Sequence, residues 1–237
     1  MIIGDLDSLT PSVQSYYESR QSNTSGGPKT QVIRDPDQES TDFGKAVAYI
    51  RQHYHTTTTT TPSNPNSNDD KPLDIVAIGG LGGRVDQGLS QLHHLYLFQT
   101  DPRYADGRVY LFSGESLTFL LKAGRHRIRV RDGGGVSYGG GAGGGDGGGG
   151  VGSGVGSGPA GSGTGGTGGD VFGKYVGILP VGGPSRITTK GLEWDVRDWE
   201  TRFGGRVSTS NHVLPTTEVV EVETTEEVLF TIALRQP

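Results

Sequence analysis

Asp74-Ile75-Val76-Ala77-Ile78-Gly79-Gly80-Leu81-Gly82-Gly83-Arg84-Val85-Asp86-Gln87 decides the fold class. The run from Ile75 to Ile78 is apolar and β-branched, which suits a buried strand. Glycines at 79, 80, 82 and 83 stop it. Val85, Leu89, Leu92 and Tyr96 then recur at helical spacing, so a strand, a glycine loop and a helix follow one another. Upstream the pattern repeats. Met1-Ile2-Ile3 is an apolar run stopped by Gly4. Thr10-Pro11 reads as an N-cap and first-turn proline opening a helix through Tyr16 and Tyr17. Gln31-Val32-Ile33 reads as a strand, and Thr41 caps a helix with Phe43, Val47, Ile50 and Tyr54 on one face. Arg108 to Ser113 supplies one more strand. Such alternation implies an α/β domain with a mainly parallel sheet.

Beyond Glu115 the character changes. Leu117–Leu121, His126–Val130, Tyr175–Leu179, Arg186–Thr189, Glu218–Glu223 and Val228–Leu234 are short, apolar or β-branched, and separated by turn residues. An antiparallel β-sandwich is the natural reading. The expected organisation is an α/β domain over 1–115, incomplete at its start, and a β-sandwich domain over 116–237. Two tracts interrupt it. Of 42 glycines in the 237 residues, 23 lie between Asp132 and Asp170, a segment of mostly Gly, Ser and Thr that reads as a disordered insertion. The threonine-rich tract over 55–71 reads as a flexible loop.

Composition excludes several classes. With no cysteine, the chain carries no disulfide scaffold, thiolate metal site or cysteine nucleophile. No apolar run approaches the roughly 20 residues that cross a bilayer, and the N-terminus lacks a signal-peptide pattern. A formal charge of −5 argues against general nucleic-acid binding. A cytoplasmic protein is expected.

Three polar stretches follow the expected strands of the first half. Gly4-Asp5-Leu6-Asp7-Ser8 sets two carboxylates two residues apart. The carboxyl ends of parallel strands line a binding crevice, and oxygen ligands there suit magnesium carrying a polyphosphate. An acidic turn capping the next helix is the competing reading. Asp37-Gln38-Glu39-Ser40-Thr41-Asp42 repeats that geometry, although Asp42 at a helix N-terminus also follows from the helix dipole. Gly79 to Gln87 frees backbone N–H groups beside a helix N-terminus and Arg84, an anion site, with a tight structural turn as the alternative. It matches neither the Walker pattern nor Gly-x-Gly-x-x-Gly. In the second half, Gly191-Leu192-Glu193-Trp194 and Ser208-Thr209-Ser210-Asn211 stand out. Trp194 also reads as a sandwich core residue, and the hydroxyl-and-amide run as a polar strand or turn. His93 and His94 lack a third partner for a metal.

These stretches, in this order, resemble the thiamine pyrophosphokinase family. The second half adds Glu115-Ser116-Leu117, Gly124-Arg125-His126-Arg127, Gly177-Ile178-Leu179-Pro180-Val181, Thr189-Lys190-Gly191-Leu192-Glu193-Trp194 and Val207-Ser208-Thr209-Ser210-Asn211. The resemblance implies an α/β catalytic domain, a β-sandwich domain and a homodimer. The implied activity is transfer of the terminal pyrophosphate of ATP to the hydroxyethyl group of thiamine, giving thiamine diphosphate and AMP. It implies magnesium held by Asp5, Asp7 and Asp42, a nucleotide site with Gln38, Thr41, Arg84 and Gln87, and catalytic roles for Asp7, Asp42 and Asp86. Trp194, Ser208, Ser210 and Asn211 would approach thiamine across the subunit interface, where a flat cationic thiazolium ring suits an indole. It also implies a preceding βα unit with an Ala-Asp-Gly-Gly motif, whereas Met1 stands three residues before Gly4. A truncated, inactive member that at most binds thiamine or a full-length partner is the alternative expectation.

Overall fold

Alternating strands and helices form the first half of a computed structural model that describes residues 1–19, 30–54, 73–100, 108–131 and 171–236. The 55–71 tract and the 132–170 insertion lie outside the described residues. The first half holds β1 (Ile2–Gly4), α1 (Pro11–Ser19), β2 (Val32–Arg34), α2 (Asp42–His53), β3 (Ile75–Ile78), α3 (Val85–Thr100) and β4 (Val109–Phe112). Among the described residues the second half holds only strands: β5 (Ser116–Leu121), β6 (Gly124–Arg129), β7 (Phe172–Leu179), β8 (Ser185–Lys190), β9 (Trp199–Thr201), β10 (Ser208–His212), β11 (Val219–Thr224) and β12 (Val228–Leu234). An α/β unit with parallel strand pairs precedes an antiparallel β-sandwich, as the sequence leads one to expect.

The parallel pairs are β1 with β2 and β3 with β4. They do not share a sheet. Among the described residues β1 and β2 pair only with each other, while β3 and β4 extend one sheet of the sandwich, in the order β10-β7-β12-β5-β4-β3. The hairpin from β4 to β5 makes the join: Ser113 Oγ accepts from the N–H groups of Ser116 and Glu115, closing the turn. A four-stranded sheet, β6-β11-β8-β9, packs against that long sheet. One continuous sheet therefore runs across the Glu115–Ser116 position.

Side-chain alternation along the strands builds two cores on the two faces of this sheet. Leu121, Val176, Ile178, Val228, Phe230 and Ile232 point to the four-stranded sheet and meet Ile187, Val220 and Val222. Val109, Leu111, Leu120 and Leu229 point the other way and meet Leu95 of α3, with Val47 of α2 in the same cluster.

Two expectations need correction. β3 is not a buried strand. Ile75 packs with Ala77 in the cluster that includes α3, but Val76 and Ile78, on the opposite face of the strand, are 56% and 83% exposed. The buried side of α3 also differs from the expected one. Val85 and Leu89 are exposed, and packing comes from the later half through Leu92, Leu95, Tyr96 and Phe98. Two strands, β9 and β10, had no hydrophobic signal; the polar run from Ser208 is a strand, held in place by pairing with β7.

Candidate functional site

Both chain segments that leave β1 and β2 carry acid, and parallel pairing brings the two strand ends side by side. Their meeting point is Gly4. A Cβ there would lie 2.6 Å from Asp42 Oδ1, so only glycine lets the carboxylate at the start of α2 come so close. Asp42 Oδ1 accepts the N–H of Asp5 at 3.2 Å, tying the first acidic loop to the second. Leu6 takes φ +63°, which turns the chain back so that Asp7 N–H donates to Asp5 Oδ1. That donated N–H is the main reason the Asp5 carboxyl is held below the usual carboxylate range; the charge of Lys45 and the side chains of Asp7 and Gln38 add to it. Lys45, almost wholly buried, donates to the Asp35 carbonyl and stands 3.7 Å from Asp42 Oδ1. Asp37 is likewise held low by Ser40 Oγ–H first, then the Glu39 N–H.

These loops open on a cleft of about 400 Å³ lined by Asp5, Asp7, Gln14, Arg34 and Gln38. The structure thus brings Asp5, Asp7 and Gln38 to one opening, with Asp42 tied to it through the Asp5 N–H rather than lining it. Thr41 lies just behind it as the N-cap of α2: its Oγ1 accepts the Gly44 N–H and pairs with Nε2 of buried His94 at 2.9 Å. His94 Nδ1 donates to the Ser90 carbonyl at 2.6 Å, and with that tautomer Nε2 accepts from the Thr41 hydroxyl. His94 is a strut between α2 and α3 in this arrangement.

The glycine loop after β3 forms a separate group. Leu81, at φ +61°, sends its N–H to Gln91 Oε1. Arg84 grips Asp86 with two parallel bonds, Nε to Oδ1 at 3.1 Å and Nη2 to Oδ2 at 2.5 Å, both residues exposed. The guanidinium is the first cause of the lowered Asp86 pKa. Gln87 lies in the first turn of α3. Among the described residues, no hydrogen bond or ion pair links Arg84 or Asp86 to the acidic cleft.

Could these residues hold magnesium? Among the described residues, no three carboxylate or imidazole groups converge into a protein-only cage. Magnesium does not need one, since it keeps several waters and takes one or two carboxylates plus phosphate oxygens. An all-oxygen set, exposed in a cleft and backed by a carboxylate seated where a Cβ would otherwise stand, fits that requirement.

In the sandwich, Trp194 is not a core residue: it is 54% exposed. It rides on a turn built by Asp195, whose carboxylate accepts from Thr189 Oγ1 and from the N–H groups of Gly191 and Leu192. Gly191 has φ +99°, with Val219 O 3.0 Å from where a Cβ would be. Asn211 stands behind the tryptophan at 5% exposure. Its Oδ1 accepts the N–H groups of Trp194 and His212, and its Nδ2 donates to the Trp194 carbonyl. The Asn211 amide is therefore occupied with the backbone that carries the indole. Ser208 and Ser210 lie on β10 at an irregularity in its pairing with β7, where Ser210 takes φ +54°. Sequence reasoning missed two neighbours. Glu193 Oε2 accepts from His212 Nδ1 at 2.5 Å, and the Tyr175 ring makes an edge contact with that imidazole, centroids 5.2 Å apart. Glu193 and His212 are 19 positions apart and show no local pattern. Lys45 was the more visible omission, since it stands one helical turn after Asp42. The acidic cleft and the cleft beside Trp194 share no lining residue.

Comparison with known proteins bears on both halves. Residues 1–105 match the family model for thiamin pyrophosphokinase, catalytic domain, and residues 167–229 match that for thiamin pyrophosphokinase, vitamin B1 binding domain. Thiamine pyrophosphokinase 2 of Arabidopsis thaliana is 31% identical over 238 residues, which cover 100% of this chain and 66% of that protein. Thiamine pyrophosphokinase 3 of Oryza sativa subsp. japonica is 30% identical, with 99% of this chain and 66% of the relative covered. The chain spans 66% of the length of these curated relatives. Among solved structures, yeast thiamin pyrophosphokinase superposes with a TM-score of 0.67 at 23% identity, covering 99% of this chain and 69% of that one. The Candida albicans enzyme gives 0.65 at 22% identity, covering 99% and 73%. At such identities the superpositions speak for the fold. Among the described residues, no helix is long and apolar enough to cross a membrane.

Proposed function

The chain belongs to the thiamine pyrophosphokinase family, and from that premise we propose that it transfers pyrophosphate from ATP to the hydroxyethyl group of thiamine, giving thiamine diphosphate and AMP. The observation that carries this reading is the Asp5 N–H bond to Asp42, which joins two acidic loops at the mouth of one cleft. Pyrophosphoryl transfer asks for charge neutralisation and alignment more than for covalent help. Asp5, Asp7 and Asp42 would hold magnesium there. When bound, the ion neutralises charge on the polyphosphate. Asp5, with its lowered pKa, stays ionised throughout the neutral range. Gln38 supplies an amide to the same opening, and Arg84, locked by Asp86, offers a fixed guanidinium to a phosphate.

A base must take the thiamine hydroxyl proton. Asp86 is the poorer choice, since both its oxygens are committed to Arg84. Asp7 is the better one: it lines the cleft, and no hydrogen bond to Arg or Lys engages it among the described residues. Trp194 offers its exposed indole to the thiazolium cation. Because Trp194 is not among the residues that line the acidic cleft, the reading includes a homodimer in which one subunit's Trp194 serves its partner's cleft.

The test is AMP and thiamine diphosphate formation from thiamine, ATP and magnesium, with Asp7→Asn assayed beside it. Turnover is expected, falling about 10²–10⁴-fold in Asp7→Asn with the circular dichroism spectrum unchanged. Thiamine binding without AMP release would replace the transferase reading with that of a thiamine-binding chain. Undiminished turnover by Asp7→Asn would remove Asp7 from the machinery.

A further inference from the structure

Four of the five residues from 79 to 83 are glycine, so the loop between β3 and α3 has many backbone courses open to it. Few groups choose among them. At the start, the Gly79 N–H goes to the Phe112 carbonyl of β4 at 2.9 Å. At the end, the Arg84 carbonyl accepts the Gly88 N–H at 3.1 Å, which opens α3. Between them stands Leu81 at φ +61°, a region that is costly for a side chain and ordinary for glycine. Two contacts offset that cost. The Leu81 side chain packs against the cluster of Leu95, Val109 and Leu111, and its N–H reaches Gln91 Oε1 of α3 at 2.7 Å.

A backbone N–H can only donate, so the oxygen of the Gln91 amide is the atom that faces it. Gly80 makes room for that oxygen. A Cβ there would stand 2.8 Å from Gln91 Oε1, and Gly80 itself is not left-handed, so close approach is what demands glycine at this position. The two residues that follow Leu81, Gly82 and Gly83, are exposed. Among the described residues, no hydrogen bond engages their N–H groups. Arg84 comes next.

We propose that Gln91 is a positioning residue for the nucleotide: by holding Leu81 it presents the N–H groups of Gly82 and Gly83, together with Arg84, to the polyphosphate of ATP. This deepens the transferase reading and rests on it. Donors aimed at an anion count for most when binding need not reorganise them. Gln91 selects one course of the loop before nucleotide arrives, acting through Leu81 and touching no substrate itself. Without its oxygen the same contacts to phosphate still form, but binding must then order the loop, and affinity falls. Gln91→Ala should therefore raise KM for ATP about tenfold. Once ATP saturates the loop its course is restored, so kcat should stay level, and KM for thiamine should not move.

Two readouts test this. The first needs no substrate: amide hydrogen exchange in the unliganded chain. In Gln91→Ala the Leu81 N–H should exchange about tenfold faster, while the Gly79 N–H, bonded to Phe112, keeps its rate. Gln91→Glu retains an acceptor oxygen and should keep Leu81 protected. The second readout is KM for ATP with magnesium, beside KM for thiamine. Gly80→Ala, which displaces the oxygen without touching Gln91, should raise KM for ATP as Gln91→Ala does, and adding it to Gln91→Ala should change little. Unchanged Leu81 exchange in Gln91→Ala overturns the proposal. So does a faster Leu81 amide with KM for ATP unmoved, or with KM for ATP and thiamine rising together, since either makes Gln91 a prop of the fold alone. A wild-type chain that protects Leu81 as described, yet neither binds ATP with magnesium nor releases AMP, overturns the transferase reading instead.

Discussion

Gly4 and Asp42 set the geometry of the acidic cleft through one atom that is missing. A methyl group on Gly4 would collide with the Asp42 carboxylate, so Gly4→Ala must push that carboxylate away and break its bond to the Asp5 N–H. A charged hydrogen bond is worth about 1.5–3 kcal/mol, so ATP affinity in the presence of magnesium should fall about tenfold or more. In an Asp42→Ala background the collision no longer exists, and adding Gly4→Ala should then change ATP affinity little. Equal losses in both backgrounds would refute the steric account. At this scale the sequence is readable where chemistry and position coincide. Asp5, Asp7 and Asp42 are legible because acid follows directly after apolar runs. Their mutual contact is not, because it depends on the parallel pairing of β1 with β2 across the 20–29 segment. Glu193 and His212 are illegible for a similar reason: the Leu192–Val213 bridge and the Glu193 N–H bond to the His212 carbonyl bring them together, and neither shows in a pattern of residue types.

Helix α2 shows how a cap can serve two elements. Thr41 satisfies the Gly44 N–H, as its place before the periodic run predicts, but its hydroxyl hydrogen goes to His94 on α3. Losing the cap alone costs about 0.5–2 kcal/mol. Losing it together with the only hydroxyl partner of a buried imidazole nitrogen adds the cost of an unmet acceptor, about 1–3 kcal/mol. Thr41→Val, which keeps shape but not the hydroxyl, should therefore destabilise the chain by about 1.5–5 kcal/mol in chemical denaturation. Thr41→Ser, which keeps both bonds, should cost less than half as much. Similar values for the two variants would show that the methyl group, not the hydroxyl, holds the helices. The helix and its cap were legible because capping is local in sequence. The position of β3 was not. An apolar run of four residues has the same composition whether both its faces are covered or one, and its pattern of residue types does not show that Val76 and Ile78 stand exposed while Ile75 is buried.

Across the whole molecule, one sheet does the work of two. Leu229 and Phe230 are consecutive residues of β12, both fully buried, yet Leu229 faces α3 and Phe230 faces the four-stranded sheet. The sequence distinguishes an α/β half from an all-strand half, and that division of element types holds. It hides the shared sheet, because the β4–β5 hairpin looks like any turn between units and pairing partners more than 100 positions apart, such as Thr118 and Thr231, leave no local trace. A consequence for stability follows. If the sheet couples its two cores, damage on either face must be felt on both. Leu229→Ala should cost about 2–5 kcal/mol and Phe230→Ala about 3–5 kcal/mol, each from a cavity in a packed interior. Both should lower the midpoint of a single denaturant transition. Tryptophan emission reports the sandwich, since Trp194 and Trp199 are the chain's only two tryptophans. Circular dichroism at 222 nm reports chiefly α1, α2 and α3. Coincident curves in the wild-type chain and in both variants are expected. Should Leu229→Ala melt the helical signal while tryptophan emission keeps its original midpoint, the long sheet is a seam between two independent units, and the coupling argued from β12 is wrong.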